Sequence, residues 1–315
     1  RGLGDVYKRQ GIDDISRMGG FRFADTLAGK FINCEASLRV PPLANVRELM
    51  HAAHEIEASE GKHLLPSKKW LAQLLHPGTS LGGARPKASI IDEDGSLTVA
   101  KFPSRKDDYD VAQWEHFCHA MGRKAGLNVA ETRTIDGDEY HILLSKRFDR
   151  TTDGKRRHFA SALTLLGLTD GDNESTGYGY TDIADFIIRH GSNVERNLEE
   201  LYRRVAFYII VGNSDDHFRN HGFLLTRKGW ELSPAYDINP TLSDFQSLLI
   251  NRDTNKSNID ILLESAGDYM LSFEKAHEII DNVRDAMKSW RNEARKQGLS
   301  QRDIDMFAPR FDKWI

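Results

Sequence analysis

Cysteine is almost absent from this chain, since only Cys34 and Cys118 occur among its 315 residues. Two thiols cannot supply the disulfide framework of a small secreted domain, so we expect a reducing, cytoplasmic location. Long hydrophobic runs are also missing: no stretch approaches the ~20 apolar residues that cross a bilayer, and we expect no membrane association. The formal net charge of −4 gives no indication of general nucleic-acid binding.

The first ten residues, RGLGDVYKRQ, lack both apolar periodicity and the layout of a signal peptide. Their DVYKRQ portion resembles the translated end of a transposon adapter used to build sequencing libraries. We therefore expect residues 1–10 not to be biological and the native chain to begin upstream of Gly11.

The remaining sequence predicts a globular α+β protein with two or three subdomains, since 39% of the residues are hydrophobic and 29% are charged. Residues 11–75 predict a small N-terminal module with a short strand at 21–23 and a helix over 43–59. Residues 76–150 predict a Gly-rich loop followed by a hairpin, a helix over 111–125 closed by Gly126, and a second hairpin.

Residues 151–315 predict mainly helices, of which the clearest cover 160–168, 181–189, 194–211 and 273–297. The fold class is therefore a mixed β/α lobe followed by a mainly helical lobe. This order is typical of proteins that hold a nucleotide.

The segment GNSDDHFRNHGF, residues 212–223, carries the strongest candidate site. Asp215 precedes Asn220 by five residues, and Asp237 follows further along the chain. Phosphoryl transfer needs such a set: one carboxylate receives a hydroxyl proton, while an amide oxygen and a second carboxylate hold magnesium. Two other interpretations fit the first residues alone, namely helix capping by Asp and Asn and a metallohydrolase site of Asp215, Asp216 and His217.

Residues 222–232 favour phosphoryl transfer, because Gly222 to Leu225 and Trp230 to Leu232 flank a Gly-containing turn and predict a β-hairpin. A hairpin brings its two ends together, so Asp237 would return beside Asn220. Two oxygen ligands would then converge on one magnesium ion. His217 would position Asp215 or contact the phosphates.

Three other features fit a nucleotide site, and each also has an ordinary structural interpretation. The glycines of the loop at 78–87 let backbone N–H groups approach phosphates, or simply form a turn. Lys101 ends a predicted strand and could reach phosphates with Glu115 as its helical partner, or be a solvated lysine. Residues 146–150 could contact adenine through their backbone groups and Phe148, or form a salt-bridge cluster.

Five motifs, GTSLGGARPKAS, TVAKFPS, SKRFDR, GNSDDHFRNHGFL and SPAYDINPT, occur in the order found in HipA-type toxin kinases. Over residues 11–315 the chain resembles this family of serine/threonine kinases from bacterial toxin–antitoxin pairs. The resemblance implies a two-lobed, protein-kinase-like fold. Residues 11–75 would be the remnant of a HipA-type N-terminal module, 76–150 the N-lobe with its phosphate loop, and 151–315 the helical C-lobe with its catalytic loop.

The resemblance also implies roles for individual residues. Asp215 corresponds to the catalytic base, His217 to a histidine near the phosphates, and Asn220 with Asp237 to the magnesium ligands. Nucleotide binding falls to the phosphate loop, two lysines and the adenine-contacting connector, namely Ser80, Gly82, Gly83, Ala84, Lys87, Lys101, Arg147 and Phe148. Ser80 also matches the serine that the family autophosphorylates, which pulls the loop out of place and silences the kinase.

ATP and Mg²⁺ are the cofactors that the resemblance implies. The implied partners are a HipB-like helix-turn-helix antitoxin, which would carry the contact with DNA, and a protein substrate, for which an aminoacyl-tRNA synthetase is one candidate. Two departures leave loop regulation and partner binding open. Arg85-Pro86 precedes Lys87 where the best-known toxin has other polar residues, and we expect the N-terminal module to be truncated.

Two other functions stay open at this point. A small-molecule kinase similar to aminoglycoside phosphotransferases would share the Asp215–Asn220 spacing and a later metal-binding Asp, but the loop with Ser80 argues against it. A partner-binding module with a vestigial, catalytically silent kinase site is the non-enzymatic alternative. The presence of Lys101, Asp215, Asn220 and Asp237 argues against that alternative.

Overall fold

The fold is known from a computed structural model, which describes residues 14–32, 40–59, 74 and 85–315. The chain forms two compact units: the first ends at Gln113 but also takes in Glu131–His158, and the second contains Trp114–Ala130 and Phe159–Ile315. Residues 1–10 and the loop residues Ser80, Gly82, Gly83 and Ala84 lie outside the described residues. The domain boundaries expected at residues 75 and 150 stay a prediction.

The first unit is built on a four-stranded antiparallel sheet with the strand order β1-β2-β4-β3. Its strands are β1 (Lys87–Ile91), β2 (Leu97–Lys101), β3 (Thr132–Ile135) and β4 (Ile142–Lys146). The two hairpins expected on either side of a helix are therefore confirmed. The short strand expected at residues 21–23 is wrong, because that segment only leads into an isolated bridge between Ala24 and Phe31.

Helix α1 (Val46–Ser59) covers one face of this sheet. Its residues Val46, Leu49, Met50 and Ala53 recur at helical spacing and are buried, which is the pattern of a helix with one apolar face. They pack with the inward-facing residues of the sheet, namely Ala88, Ile90, Ala100, Ile142 and Leu144. Because side chains alternate along a strand, the residues between these positions project from the opposite face of the sheet.

A buried ionic cluster joins the start of the described chain to the segment after β4. Asp149 accepts two hydrogen bonds from Arg147, at 2.7 and 2.6 Å, and one from Arg150 at 2.7 Å. The Gly19 N–H donates to the same carboxylate at 2.7 Å. Guanidinium groups of both arginines also donate to the carbonyl of Arg17. These bonds satisfy a buried carboxylate that would otherwise be costly.

The pKa of Asp149 reflects this surrounding. Burial raises the pKa of the carboxyl, but the hydrogen bonds and charges of Arg147 and Arg150 more than offset it, so the pKa lies below its ordinary value. Burial also lowers the pKa of Arg150, to about 10. The carboxylate therefore stabilises the fold in its ionised form.

The second unit is mainly helical. Helix α2 (Val111–Lys124) contributes Trp114 onward, and Gly126 ends it in the expected left-handed conformation with φ 84°. The other helices are α3 (Ala162–Leu165), α4 (Tyr180–His190), α5 (Val194–Val211), α6 (Ile259–Glu264), α7 (Phe273–Met287), α8 (Trp290–Lys296) and α9 (Gln301–Phe311). In the described residues, no helix combines the length and the hydrophobicity needed to span a bilayer.

Three strands of the second unit form a small antiparallel sheet in the order β5-β6-β7: β5 (Phe159–Ser161), β6 (Gly222–Thr226) and β7 (Gly229–Leu232). The helix expected over 160–168 is only partly correct, because β5 occupies its start. The helix expected over 273–297 is interrupted between Met287 and Trp290.

The ionic cluster generates a prediction about pH. The substitution Asp149→Asn should lower the free energy of unfolding near neutral pH by about 3 kcal/mol, because it leaves buried arginines without their counter-ion. The folded-state pKa of Asp149 is depressed, so its contribution is present above the unfolded-state pKa of about 3.9 and is lost as the pH falls through the lower folded value.

Urea unfolding of the wild type and the variant between pH 7 and pH 3 measures this difference. The control is Asp153→Asn, which removes an exposed carboxylate from the same segment and should change the stability negligibly. A difference between the wild type and Asp149→Asn that stays constant over this pH range would contradict the prediction.

Candidate active site

Helix α5 leads directly into the loop that carries the candidate site residues. The second half of this helix, from Val205 to Val211, is completely buried, so its end is fixed by packing. Gly212 follows with a positive φ of 73°, and its N–H donates to the carbonyl of Tyr208. This glycine ends the helix as a left-handed cap and turns the chain into the loop that contains Asp215.

The hairpin expected after this loop is confirmed. Strands β6 and β7 pair from Phe223 opposite Leu232 to Thr226 opposite Gly229, with Arg227 and Lys228 between them. After the hairpin, the hydroxyl of Tyr236 donates to the carbonyl of Arg219 at 2.6 Å. The residues that precede Asp237 and Asn220 are therefore in direct contact.

Further hydrogen bonds join the segment after the hairpin to the loop before it. The Asn239 N–H donates to Asn213 Oδ1 at 2.9 Å, and the Thr241 N–H donates to the carbonyl of Gly212 at 2.8 Å. The hydroxyls of Ser214 and Thr241 lie 2.6 Å apart. Asp215, Asn220 and Asp237 thus sit on two segments that are fastened to each other at several points.

The polar side chains of this loop differ in their exposure to solvent. Asp215 is exposed, whereas Asn220 is only 7% exposed. The Asn220 side-chain Nδ2 donates to the carbonyl of Asp215 at 3.2 Å, and its backbone N–H donates to the carbonyl of His217 at 2.8 Å. The amide nitrogen of Asn220 is therefore engaged within the loop, and its oxygen is the atom suited to a ligand role. His217 is half-buried.

Asp237 has a backbone conformation that is uncommon for residues other than glycine. Its φ is 58°, in the left-handed region that a non-glycine residue adopts only at a cost. Its Oδ1 accepts a hydrogen bond from Asn239 Nδ2 at 3.1 Å. Strained residues held in place by their neighbours cluster at functional sites, so this geometry supports a functional role for Asp237.

Asp216 has a different role from its neighbour Asp215. It is 1% exposed, and its Oδ2 accepts hydrogen bonds from the Tyr180 hydroxyl and from His221 Nε2, both at 2.8 Å. Burial and the charge of Asp216 raise the pKa of Tyr180 well above its ordinary value, so the hydroxyl stays a donor. This cluster of Tyr180, Asp216 and His221 is called the buried triad below.

The donor set of the site fits magnesium. Asn220 and Asp237 offer only oxygen atoms, which are the ligands that this hard cation takes, usually together with several waters. The metallohydrolase interpretation has no comparable support, because Asp216 is held by Tyr180 and His221. Over residues 14–32, 40–59, 74 and 85–315, no group of three His, Cys, Asp or Glu side chains could hold a metal ion.

The other predicted site residues belong to the first unit. Lys87 and Lys101 lie directly opposite each other across β1 and β2, so both project from the face of the sheet that α1 does not cover. Arg147 is buried in the ionic cluster, while Phe148 is half-buried.

Two further contacts lie in the surroundings of these residues. Arg85, at the end of the predicted phosphate loop, forms a two-fold hydrogen-bonded ion pair with Asp107, at 2.9 and 2.5 Å. Glu115 belongs to the second unit, where its Oε1 lies 3.8 Å from His119 Nε2. A pairing between Glu115 and Lys101 stays a prediction.

Comparison with known proteins decides the family. Residues 79–291 match the HipA-like C-terminal domain, and this match spans the Lys87–Lys101 hairpin, the loop with Asp215 and the segment with Asp237. The chain belongs to this family.

Several characterised or named proteins are similar to this chain. A putative kinase of Haemophilus influenzae is 27% identical over 195 residues, which cover 55% of this chain and 57% of that protein. The serine/threonine-protein kinase toxin HipA of Shewanella oneidensis is 23% identical over 213 residues, which cover 59% of this chain and 48% of the toxin. The chain thus spans about half the length of these relatives. A putative kinase of Sinorhizobium fredii, Y4dM, is 27% identical over 282 residues, covering 78% of this chain and 67% of that protein.

A solved structure shows the fold. The complex of Shewanella oneidensis HipA, HipB and operator DNA contains a chain that matches 99% of this one with a TM-score of 0.65 and 16% identity, over 76% of its own length. The kinase-like α+β fold class is therefore confirmed.

Four site residues were not expected from the sequence: Tyr180, His221, Asn213 and Asn239. Tyr180 lies 36 residues before Asp216 in the sequence, and no local sequence pattern predicts a contact over such a separation. Asn213 and Asn239 had a weak signal, because each is an amide within two residues of a predicted functional aspartate.

The cap at Gly212 generates a prediction about stability. A Cβ at this position would lie 2.4 Å from the carbonyl oxygen of Thr241 and 2.7 Å from Arg310 Nε. The matched control is Gly177, which also has a positive φ of 84° but has no atom within 4 Å of such a Cβ. Gly177→Ala should cost about 1 kcal/mol of unfolding free energy for its backbone alone, and Gly212→Ala about 2 kcal/mol more. Equal losses in urea unfolding would contradict this account of the cap.

Proposed function

We propose that this chain is an ATP- and Mg²⁺-dependent serine/threonine protein kinase of the HipA type. The observation that carries the proposal is a set of hydrogen bonds between two segments of the second unit. Tyr236 bonds to Arg219, and Asn239 bonds to Asn213. These bonds bring together the segment that carries the exposed Asp215 and the buried Asn220 and the segment that carries Asp237, whose backbone φ is positive. Phosphoryl transfer uses these three groups as base and metal ligands.

Asp215 is the base in this proposal. Its carboxylate is exposed, so the hydroxyl of a serine or threonine in a protein substrate can reach it. The carboxylate would orient that hydroxyl and accept its proton as the oxygen attacks the γ-phosphorus. His217, two residues further along the loop, would contact the phosphates.

Asn220 would hold magnesium through its amide oxygen Oδ1, and Asp237 would hold it through its carboxylate. Bound magnesium supplies neutralisation of the charge on the phosphates. Asn239 keeps the Asp237 carboxylate oriented through its hydrogen bond, and the Asn220 Nδ2 bond to the Asp215 carbonyl keeps the amide oriented. The chain's own contribution is therefore a ligand set that is arranged before the metal binds.

Phosphate binding falls to Lys87, Lys101 and the loop of Ser80, Gly82, Gly83 and Ala84. The opposed lysines supply two positive charges on one face of a sheet, which suits a polyphosphate. Adenine recognition falls to the connector. The Arg147 guanidinium is committed to Asp149, so the connector backbone and Phe148 are the groups that would contact the base.

The proposed regulation and substrate come from the resemblance to HipA-type kinases, and the proposed partner has an analogue in a solved complex. We propose autophosphorylation at Ser80 and a protein substrate, with an aminoacyl-tRNA synthetase as one candidate. The Shewanella oneidensis complex joins HipA to HipB and operator DNA. By analogy, this chain would bind a HipB-like helix-turn-helix antitoxin and reach DNA only through it.

Replacing Asp215→Ala should reduce phosphoryl transfer by about 10³-fold, because the hydroxyl loses its proton acceptor. Wild type incubated with ATP and Mg²⁺ should acquire phosphate on Ser80, and mass spectrometry should find almost none in the variant. Asp253→Ala removes another exposed carboxylate of the second unit and serves as the control with unchanged transfer. Undiminished phosphate in Asp215→Ala would overturn the assignment of the base, and transfer only to small molecules would favour the alternative kinase class.

Replacing Asp237→Asn should raise the Mg²⁺ concentration for half-maximal activity at least about tenfold, because a neutral amide replaces an anionic ligand. The same variant should need correspondingly more Mg²⁺ for ATP to raise its melting temperature. Asp253→Asn, with its carboxylate outside the site, should leave both titrations unchanged. Identical Mg²⁺ titrations for the wild type and Asp237→Asn would count against the metal assignment.

A further inference from the structure

The loop between α5 and β6 contains two neighbouring aspartates with opposite surroundings. Asp215 is exposed, whereas the side chain of Asp216 is buried. The phosphoryl-transfer chemistry uses Asp215 and has no need of a second carboxylate at this position. A buried carboxylate with no function would be costly, so the contacts of Asp216 call for an explanation.

Those contacts come from two different parts of the second unit. Tyr180 lies in the first turn of α4, and its hydroxyl donates to Asp216 Oδ2 at 2.8 Å. His221 lies at the far end of the loop, and its Nε2 is also 2.8 Å from Asp216 Oδ2. Hydrogen bonds to a carboxylate are about twice as strong as neutral ones, and they gain further strength away from water.

The spacing of this contact matches the spacing of the proposed functional residues. Asp216 immediately follows Asp215, and His221 immediately follows Asn220. A single bond between Asp216 and His221 therefore closes the loop at the two positions next to the base and next to a metal ligand. Movement of either end would change the separation of Asp215 and Asn220.

Contacts around the triad hold its members in place. The rings of Tyr180 and His221 meet edge to face with centroids 5.6 Å apart. The carbonyl of His221 accepts the N–H of Ala162 at 2.7 Å, and the carbonyl of Phe218 accepts the N–H of Leu163 at 3.2 Å. The loop is thus fixed to α3 through its backbone and to α4 through the triad.

We propose that the buried triad of Tyr180, Asp216 and His221 is a positioning device, which sets the distance between Asp215 and Asn220. This inference rests on the proposed function, because it assigns the device to the base and the metal ligand of that site. Asp216 itself does not touch substrate; it acts through the loop that it closes.

Two substitutions of His221 separate this role from simple packing. His221→Gln keeps an N–H near the position of Nε2 and loses the aromatic ring. His221→Phe keeps a ring against Tyr180 and loses the donor. If the triad positions the loop, His221→Phe should lower kcat by about 100-fold while His221→Gln retains most of it, because small displacements of reacting groups are costly. If the ring matters only for packing, the order of the two variants reverses.

A pair of tyrosines provides the matched control. Tyr180→Phe removes a hydroxyl that donates to Asp216, whereas Tyr202→Phe removes one that donates to the carbonyl of Leu262 at 3.3 Å. Both side chains are completely buried in the second unit. Only Tyr180→Phe should lower kcat and raise the Mg²⁺ requirement. Equal effects of the two variants would reduce Tyr180 to a packing residue and overturn the inference.

Hydrogen–deuterium exchange of the chain (residues 1–315), without nucleotide, gives a readout that does not depend on activity. Amides of residues 213–222 should exchange faster in His221→Phe than in the wild type or His221→Gln. All variants are assayed well below their melting temperatures. Transfer is followed with ATP, Mg²⁺ and the chain itself as acceptor, and kcat here denotes the rate constant of that single transfer at saturating ATP.

The outcomes distinguish this inference from the proposed function. A wild type that transfers no phosphate refutes the proposed function, and with it the assignment of the triad to a base and a metal ligand. An active wild type with matching exchange and matching kcat in His221→Phe and His221→Gln refutes the positioning device and leaves the proposed function standing. Fast exchange together with a selective loss of kcat in His221→Phe supports both.

Discussion

One backbone carbonyl, that of Gly212, holds the candidate site together. It accepts the N–H of Ser214 at 2.8 Å, the N–H of Thr241 at 2.8 Å and the Thr241 hydroxyl at 2.9 Å. The end of α5, the start of the loop with Asp215 and the segment after Asp237 therefore meet at a single oxygen. Only a residue with a positive φ and no Cβ fits there, because the next segment passes too close.

The construction explains how a polar site can have a defined geometry. The completely buried half of α5 supplies a rigid support, and the site residues lie on two short segments at its end. Polar groups of those segments bond mainly to each other, as Asn213 does to the backbone of Asn239 and Tyr236 to that of Arg219. Preorganised groups lose little entropy when a ligand arrives, which is what electrostatic catalysis requires.

The sequence predicts those parts of the structure whose signals are local. The β6–β7 hairpin follows from a turn between two apolar runs, α1 from apolar residues at helical spacing, and the end of α2 from Gly126. Strand β5 has only three residues and becomes a strand because β6 pairs with it, so no local pattern predicts it. Buried polar contacts are harder still, since the bond from Tyr180 to Asp216 depends on packing between residues distant in sequence. For Arg147, the sequence left adenine contact and ion pairing open, and the structure shows the ion pair with Asp149.

The aromatic contacts between α2 and α9 have a consequence for synthesis on the ribosome. Trp114 is completely buried, and its ring lies 4.6 Å from that of Phe307 in α9, which follows it much later in the sequence. Phe117 likewise stacks on Phe311, with ring centroids 6.3 Å apart. These aromatic side chains of α2 are translated well before their partners in α9. The nascent chain must therefore carry an uncovered aromatic helix until α9 has been translated, and it is in this period that it would depend on chaperones.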